Sequence, residues 1–297
     1  MADAEPSGWS LEEFKAGDGY LWRFRKYKSL EPAKGQVVFL HGIQSHAGWY
    51  SHSCSWLAER GWDVSFLDRR GSGVNFEDRG DAPSFRRLVD DVAEYLQSLP
   101  RSVTTPNGVV KHPIFLAAIS WGGKLAVALE RRHPGLIDGL ILMCPGISPR
   151  IRPSVVQRFK ILLSRFFRPR KFYDIPLNDP ELFTATPHWQ DFLRQDAHRL
   201  HRATARFLIE SARLDGYLRF APKYVHVPSL LLLAEQDRII HNEKTRAFVE
   251  RFPNADKTTI EYAGAHHTLE FEPDPSRFLE DMNRWLEEAH LPQPPAA

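Results

Sequence analysis

The sequence contains little cysteine, with only Cys54 and Cys144 among 297 residues. Two cysteines cannot form the disulfide framework of a small secreted domain, and Cys144 closes an apolar run that is typical of a buried strand. A chain of this mass buries about 74% of its unfolded surface on folding, so its core does not depend on disulfides or metal ions. We therefore expect a cytoplasmic protein with no structural metal.

Long hydrophobic runs are also missing, because no stretch approaches the ~18 consecutive apolar residues of a membrane span. Residues 1–9 hold neither a basic region nor an apolar one, which predicts that there is no signal peptide. An excess of one charge is lacking as well, since 39 basic and 37 acidic side chains give a formal net charge of +2. We expect no nucleic-acid partner, because such a partner requires a strong basic excess or stripe.

Short apolar runs do occur, and they alternate with amphipathic stretches. The runs predict strands at residues 20–27, 36–40, 64–67, 114–119, 140–143, 229–233 and 258–262. Apolar residues at three- and four-residue spacing predict helices over 84–99, 122–132, 242–252 and 275–290. This alternation predicts an α/β fold with a mostly parallel sheet covered on both faces. Ligands of such folds bind beyond the carboxyl ends of the strands.

One interval interrupts the alternation, because residues 145–228 contain helix-like and proline-punctuated polar sequence without a convincing strand. We interpret this interval as a helical cap inserted between two parts of one core domain, 1–144 and 229–290. It has no long apolar run of its own, so we expect it to pack over the edge of the sheet that binds ligands. A flexible tail is predicted at 291–297, where prolines cannot continue the preceding helix.

A candidate nucleophile lies in the segment 118–123 (AISWGG), where a predicted strand ends and a predicted helix begins. A serine on such a sharp turn projects its hydroxyl above the sheet, and small residues are needed two positions on either side. Ala118 replaces the first glycine of the usual G-x-S-x-G pattern, and its methyl group predicts slight crowding without loss of the geometry around Ser120. The alternative is structural, because serine is also a favoured helix N-cap.

A serine hydroxyl needs a base to remove its proton and a third group to orient that base. In enzymes with this turn, the acid and then the histidine follow the serine, each after a later strand. Asp237 and His267 occupy such positions. Glu235 is a rival acid, but it lies closer to the strand and is expected to face solvent or the sheet edge. The sequence alone does not fully separate His267 from the neighbouring His266.

The transition state of acyl transfer also needs hydrogen-bond donors for a developing oxyanion. Gly42 follows the predicted strand that ends at Leu40, and it allows the backbone to turn so that the Ile43 N–H faces the site. The Trp121 N–H, at the positive end of the following helix, is the second predicted donor. An ordinary turn at 41–42 is the alternative.

These motifs together resemble the α/β-hydrolase superfamily and, within it, the monoacylglycerol lipase and lysophospholipase-like serine hydrolases. The similar segments lie in the same order and together span most of the chain outside the cap; they are 41–50, 67–73, 120–123, the acid segment at 237 and 264–269. The resemblance implies an eight-stranded, mostly parallel sheet and no cofactor. It also assigns the roles of five residues: nucleophile Ser120, acid Asp237, base His267, and oxyanion-hole amides Ile43 and Trp121.

The sequence departs from lipase relatives at positions 44–45, where Gln-Ser stands in place of Gly-Glu, and this departure weakens a claim to monoacylglycerol specificity. The nearby segment 68–73 (DRRGSG) is interpreted as a structural turn that shapes the floor of the pocket.

The interval 150–171 of the cap holds eight basic residues and no acidic one. Seven apolar residues recur among them at near-helical spacing: Val155, Val156, Phe159, Leu162, Leu163, Phe166 and Phe167. An amphipathic basic helix can lie on an anionic membrane. It can also turn its apolar face inward as the wall of an acyl pocket, which is the interpretation we favour. Asp196, His198 and His201 lack a further ligand at a recognisable spacing, so we expect no metal there.

The pattern as a whole predicts a serine hydrolase that cleaves esters with apolar acyl groups, such as monoglycerides or lysophospholipids, through an acyl-enzyme. An aminopeptidase is the alternative, because the Ser-Trp-Gly segment at 120–122 is also similar to that of prolyl aminopeptidases. The loop at 41–44 lacks their glycine-proline-rich sequence, however. The substrate amine would also need a cap carboxylate, for which Glu181, Asp191 and Asp196 are candidates. A non-catalytic binding protein would lack a triad member, and none is missing.

Overall fold

Eight strands form one sheet in the computed structural model, which describes residues 8–105 and 108–288. From one edge to the other they are β1 (Trp9–Lys15), β2 (Leu21–Tyr27), β4 (Trp62–Leu67), β3 (Gly35–Leu40), β7 (Ile114–Ile119), β8 (Gly139–Met143), β11 (Ser229–Ala234) and β12 (Lys257–Tyr262). Only β2 pairs antiparallel with its neighbours, β1 and β4, while all other pairs are parallel. The predicted mostly parallel, eight-stranded sheet is confirmed.

The central strands are buried on both faces, because every residue of β3, β7, β8 and β11 is buried. The helices that cover them are α1 (Ser51–Glu59), α2 (Phe85–Ser98), α3 (Gly122–Arg132), α7 (Asn242–Val249) and α8 (Ser276–Glu288). In α2 the apolar residues form one buried stripe, and the Ser84 hydroxyl caps the helix by accepting a hydrogen bond from the Arg87 N–H. Helices α2 and α3 pack together, as do α1 and α8.

Between β8 and β11 lie the helices α4 (Val155–Phe167), α5 (Pro187–Gln195) and α6 (Ala205–Leu218). The prediction that 145–228 contains no strand was wrong. Strands β9 (Phe172–Asp174) and β10 (Arg202–Thr204) pair antiparallel in a small separate sheet. Strands of three residues are too short to carry a visible alternation of apolar and polar residues, which explains the omission. We call the segment 145–228 the cap below.

Four further elements were not predicted: β1, α1 and the two strands of a hairpin, β5 (Ser102–Thr105) and β6 (Gly108–Lys111). Single 3-10 turns lie at Ala47–Tyr50, Pro180–Leu182, Pro222–Tyr224 and Leu269–Phe271. The tail predicted at 291–297 and the end of the helix predicted over 275–290 fall outside the described residues. Over the described part of the chain, every helix is too short or too polar to cross a bilayer.

The sheet brings five loops to one edge. The parallel register sets Leu40 beside Ala118, Ile119 beside Met143, and Ala234 beside Tyr262. The carboxyl ends of these strands therefore lie level, and the loops that follow them meet above the same edge of the sheet. Ala118 is fully buried within β7 and keeps its pairing on both sides.

One buried carboxyl group in α3 makes stability depend on pH. Burial raises the pKa of Glu130 to about 7, and its Oε1 has no hydrogen-bond partner among residues 8–105 and 108–288. The folded protein therefore keeps this proton at pH values where the unfolded chain has released it, so the free energy of unfolding falls as pH rises from about 4.5 to about 7. Above this window the loss approaches about 3 kcal/mol.

Glu130→Gln removes this titration. Urea unfolding at pH 5 and pH 8 should show that the variant gains stability relative to the wild type at pH 8 and not at pH 5. The pKa of Glu270 is also raised to about 7 by burial, but its contribution is present in both proteins and cancels in the comparison. Parallel pH dependence of the two proteins would contradict the prediction.

Candidate active site

Ser120 lies on the tight turn between β7 and α3 in a left-handed backbone conformation, with φ of 50°. Such a conformation is strained for a residue with a side chain, and surrounding contacts must hold it. The Ser120 N–H donates to Met143 O at 3.0 Å, and the Ser120 carbonyl accepts from the Gly146 N–H at 2.6 Å. A Cβ on Gly122 would lie 2.7 Å from Leu40 O, so the close approach of α3 to β3 requires glycine there.

The loops after β11 and β12 bring an acid and a base to this serine. His267 Nε2 lies 2.9 Å from Ser120 Oγ, and His267 Nδ1 lies 2.6 Å from Asp237 Oδ2. The other oxygen of Asp237 accepts from the N–H groups of Ile239 and Ile240 at 2.7 and 3.0 Å. The Asp237 side chain is fully buried and that of His267 is 3% exposed. This arrangement can accept a proton from the serine hydroxyl and stabilise the resulting imidazolium.

The rival acid and base lie elsewhere. Glu235 is exposed and accepts a hydrogen bond from the Gly264 N–H at 2.8 Å. The Nδ1 of His266 lies 3.2 Å from an oxygen of Glu272. The geometry therefore brings Ser120, Asp237 and His267 together and leaves Glu235 and His266 outside.

The buried thiol of Cys144 lies next to Asp237 and His267. Cys144 Sγ, Asp237 and His267 present ligand atoms within 4.8 Å of one another, the one such group within the described ranges 8–105 and 108–288. Burial, together with the carboxylate of Asp237, raises the pKa of the Cys144 thiol well above its ordinary value. The thiol therefore stays protonated at neutral pH and is neither a rival nucleophile nor a ready metal ligand.

The two residues predicted to form the oxyanion hole, Ile43 and Trp121, line the same cavity as Ser120. A Cβ on Gly42 would lie 3.2 Å from Ser120 Cβ, which shows how closely this loop approaches the serine. In the part of the chain that the structure describes, neither the Ile43 N–H nor the Trp121 N–H donates to a protein group. Both are therefore available to a ligand.

Arg69 holds the loop of Ile43 from the core side. Its guanidinium donates to Gly42 O at 2.7 Å and to Ile43 O at 2.5 Å. Burial lowers the pKa of Arg69 to about 9, so it remains charged at neutral pH. Residues 68–73 thus support the loop of Ile43, and the Asp68 carboxylate also accepts from the N–H groups of Ala47 and Val74. None of them is among the described residues that line the cavity over Ser120, so the predicted pocket floor is not found there.

Arg199 holds the same loop from the cap side. This buried guanidinium donates twice to Gln44 Oε1, at 3.1 and 2.8 Å, and also to the carbonyls of Leu193 and Leu177. The Leu200 N–H donates to Gln44 O at 2.9 Å. Sequence reasoning missed Arg199, although the unusual glutamine at position 44 was the signal for a new partner there.

Removing Arg199 should make the loop that carries Gln44 and the Ile43 N–H less rigid. We expect Arg199→Met to lower kcat for an ester about 10- to 100-fold with little change in KM, because oxyanion contacts form mainly in the transition state and small misplacements are costly. The matched control is Arg202→Met, since Arg202 is exposed and forms a surface ion pair with Asp174. Steady-state kinetics on a soluble ester provide the measurement. A rise in KM at constant kcat would argue against this role.

The three cap residues whose spacing superficially suggests a metal site have other surroundings. Asp196 Oδ2 lies 3.0 Å from His46 Nε2 and accepts from Trp49 Nε1 at 2.6 Å. Although burial opposes the charged form, the hydrogen bond from His46 and its charge lower the pKa of Asp196 to about 2. His198 Nδ1 points to Gly73 O, and His201 is exposed. Asp196 thus ties the cap to the loop at 46–49.

A cavity of about 730 Å³ lies over Ser120, with walls from the cap and the core. Its lining is largely apolar and includes Ile151, Ile161, Ile175, Leu177, Leu208 and Ile240. The prediction that the apolar face of α4 turns inward holds only for one edge of the helix. Val155, Phe159 and Leu162 line the cavity, but all seven predicted apolar residues remain exposed, between 48% and 80%.

Comparison with known proteins identifies the family. The family described as "Serine aminopeptidase, S33" (Hydrolase_4) matches residues 31–274. The chain belongs to this α/β-hydrolase family. It is 27% identical over 265 residues to a monoacylglycerol lipase from Mycolicibacterium smegmatis, covering 85% of this chain and 88% of that protein. It is also 26% identical to an abhydrolase domain-containing protein from Dictyostelium discoideum, of whose length it spans about a quarter (26%).

Solved structures share the α/β-hydrolase fold. A soluble variant of the monoglyceride lipase from Saccharomyces cerevisiae, in complex with a substrate analog, superposes with a TM-score of 0.80 at 20% identity. The match covers 98% of this chain and 99% of that one. The family membership and these relatives support the predicted class of enzyme, a serine hydrolase of the esterase and lipase type.

Proposed function

We propose that this α/β-hydrolase cleaves carboxylic esters with an apolar acyl group, such as monoglycerides or lysophospholipids, by way of an acyl-enzyme. The observation that carries the proposal is the continuous hydrogen-bonded chain from Ser120 Oγ through His267 to Asp237. A serine is nucleophilic only when such a base is in reach and held in the correct tautomer.

The proposed reaction has two halves. Ser120 Oγ attacks the ester carbonyl while His267 Nε2 takes its proton, and the N–H groups of Ile43 and Trp121 donate to the carbonyl oxygen as it becomes negative. The tetrahedral intermediate collapses, and the leaving alcohol receives the proton from His267. Water then repeats the sequence on the acyl-enzyme and releases the fatty acid, while Asp237 remains ionised throughout.

The cavity supports an apolar acyl group. Its apolar walls and its volume of about 730 Å³ are suited to a lipid-sized ligand, because such sites bind mainly by burying apolar surface. The relative from Mycolicibacterium smegmatis is a monoacylglycerol lipase, which supports this substrate class.

The aminopeptidase alternative gains no support from the cap carboxylates proposed for it. Glu181, Asp191 and Asp196 do not line the cavity. Asp215 is the one acidic side chain among the described lining residues, and it pairs with Lys124 Nζ at 2.6 Å. A substrate amine would have to compete with this lysine. The complete hydrogen-bonded triad likewise gives no support to a non-catalytic binding protein.

We further propose that α4 makes peripheral contact with an anionic membrane. Its exposed apolar residues include Phe166 and Phe167, at 75% and 80% exposure, and the basic residues of 150–171 complement anionic headgroups. In vesicle flotation, wild-type protein should float with anionic vesicles and not with neutral ones, and the double variant Phe166→Ser, Phe167→Ser should lose this binding. Equal flotation of both proteins would overturn the proposal.

We place the enzyme in the cytoplasm on the basis of its two free cysteines.

Covalent labelling tests the nucleophile. A fluorophosphonate probe should modify the wild type at Ser120, as mapped by mass spectrometry, and should leave Ser120→Ala unlabelled. Comparison of p-nitrophenyl esters with proline anilides then separates esterase from aminopeptidase. Labelling that persists in Ser120→Ala, or turnover of the anilide alone, would contradict the proposed function.

A further inference from the structure

Arg69 is a buried cation without an ion pair. The residue is 7% exposed, and in the part of the chain that the structure describes no carboxylate oxygen lies within 4 Å of its guanidinium. The adjacent acid, Asp68, uses its two oxygens to accept from the N–H groups of Ala47 and Val74. A buried charge that lacks a close partner of opposite sign costs folding free energy. The charge of Arg69 therefore calls for an explanation other than stability.

The guanidinium is directed at one particular peptide group. Arg69 Nη1 donates to Gly42 O at 2.7 Å, and this carbonyl belongs to the same peptide unit as the Ile43 N–H, the predicted oxyanion donor. In a planar trans peptide the C=O and the N–H point in opposite directions. The cation therefore lies on one side of this peptide unit, and the N–H points away from it on the other side.

His41 donates to the same carbonyl. The Arg69 N–H donates to His41 Nε2 at 3.1 Å, which assigns the ring proton to Nδ1, and Nδ1 lies 2.7 Å from Gly42 O. The two donors, 3.1 Å apart, thus converge on one oxygen. Burial, together with the charge of Arg69, lowers the pKa of His41 well below its ordinary value, so the ring is neutral at pH 7. Because linked hydrogen bonds polarise one another and charged donors form the stronger ones, the Ile43 N–H becomes a better donor.

The same guanidinium lies beside the second residue of the predicted oxyanion hole. Its central carbon, Cζ, is 5.1 Å from the centroid of the Trp121 ring and 5.4 Å from that of the Phe207 ring. Since the guanidinium is buried against two aromatic rings, little water screens its charge, and the charge acts over a longer range than in solvent.

We propose that Arg69 is a positioning residue whose positive charge stabilises the oxyanion of the transition state through the peptide between Gly42 and Ile43. The inference rests on the proposed ester hydrolysis at Ser120, and it goes beyond the support that Arg69 gives to the loop. The negative charge that the buried cation lacks in the free enzyme forms on the carbonyl oxygen during attack. The bound ester does not carry this charge, so the interaction raises kcat without tightening substrate binding.

The test uses three replacements of Arg69 that separate its charge from its shape. Arg69→Lys keeps a cation, Arg69→Gln keeps a neutral N–H donor, and Arg69→Met keeps neither. One measurement is kcat and KM for a p-nitrophenyl ester. The other is the inhibition constant of an alkyl trifluoromethyl ketone, whose carbonyl carbon bonds to Ser120 Oγ while His267 takes the proton and the carbonyl oxygen becomes an oxyanion.

The neutral variants should lose transition-state stabilisation and keep substrate binding. We expect Arg69→Gln and Arg69→Met to lower kcat about 10- to 100-fold, less than the loss of a whole oxyanion donor, and to weaken the ketone by the same factor. KM should stay within a few-fold of the wild-type value. Arg69→Lys should recover most of the loss in both measurements, which a purely mechanical role of the guanidinium does not predict.

Lys26→Met is the matched control for removal of a buried cation. Lys26 donates to the side chains of Gln36 and Ser65, and it lies on β2, three strands from β7 in the sheet. Its replacement should change kcat and the affinity for the ketone by no more than a few-fold. Circular dichroism and thermal unfolding verify that each variant is folded. If Arg69→Met does not fold, the comparison of Arg69→Lys with Arg69→Gln decides.

Three results would overturn the inference and leave ester hydrolysis intact. They are equal kcat in Arg69→Lys and Arg69→Gln, a loss that appears in KM and not in kcat and ketone affinity, and an equal loss in Lys26→Met. If the wild type neither cleaves the ester nor takes the fluorophosphonate label at Ser120, the proposed function itself fails.

Discussion

Replacing Ser120 with alanine should lower kcat for a p-nitrophenyl ester by about 10⁶, the scale known for loss of a triad nucleophile. The alanine removes the oxygen that we propose as the nucleophile, while His267 and Asp237 keep their hydrogen bond to each other. Residual turnover would come from binding and the oxyanion hole alone. Ser120 Oγ has His267 as its hydrogen-bond partner, so its removal leaves no other donor or acceptor of the fold unpaired.

Stopped assays with long incubation measure this loss, and thermal unfolding verifies that the variant is folded. The strained φ of 50° at Ser120 is also present in the variant, so we expect a similar melting temperature. A variant that keeps more than about a hundredth of the wild-type kcat would show that another group attacks the ester.

Asp237→Asn should lower kcat by about 10⁴. The asparagine keeps the shape of the side chain, and its carbonyl oxygen still accepts from the N–H groups of Ile239 and Ile240. Its NH₂ group then faces His267 Nδ1 and donates to it, so the histidine carries its proton on Nε2. That tautomer cannot accept the proton of Ser120.

Two neighbours provide matched controls for this variant. Glu235→Gln changes a rival carboxylate that is exposed, and His266→Gln changes the histidine that faces Glu272. Both should keep kcat within a few-fold of the wild type in the same assay. A large loss in Glu235→Gln with normal activity in Asp237→Asn would reverse the assignment of the acid.

The strands and helices could be predicted wherever the pattern of apolar residues was long and regular. The buried runs that became β3, β7, β8 and β11 are almost entirely apolar because both faces of the sheet are covered. The serine turn and the acid could be placed because each follows such a run closely, and the histidine could be placed because it follows the last predicted strand, the partly buried β12. The short elements β9 and β10 lack this periodicity, and their pairing depends on residues thirty positions apart in the chain.

The residues that hold the site loops in place could not be predicted from the sequence, for a different reason. Arg199 bonds to Gln44, a residue 155 positions away; the glutamine at position 44 indicates a changed environment there, but nothing in the sequence identifies Arg199 as its partner. The exposure of the apolar residues of α4 was also misjudged, because periodicity shows that a helix has an apolar face and not what covers it. Packing between cap and core determines both features.

The most direct test of the account is a pre-steady-state experiment with the wild-type enzyme and a p-nitrophenyl ester. We expect a burst of p-nitrophenolate of about one equivalent per enzyme, and an acyl group on Ser120 when the burst is quenched and the peptides are analysed by mass spectrometry. An acyl group on a different residue, or an equal burst from Ser120→Ala, would contradict the claim that His267 and Asp237 make this serine the nucleophile.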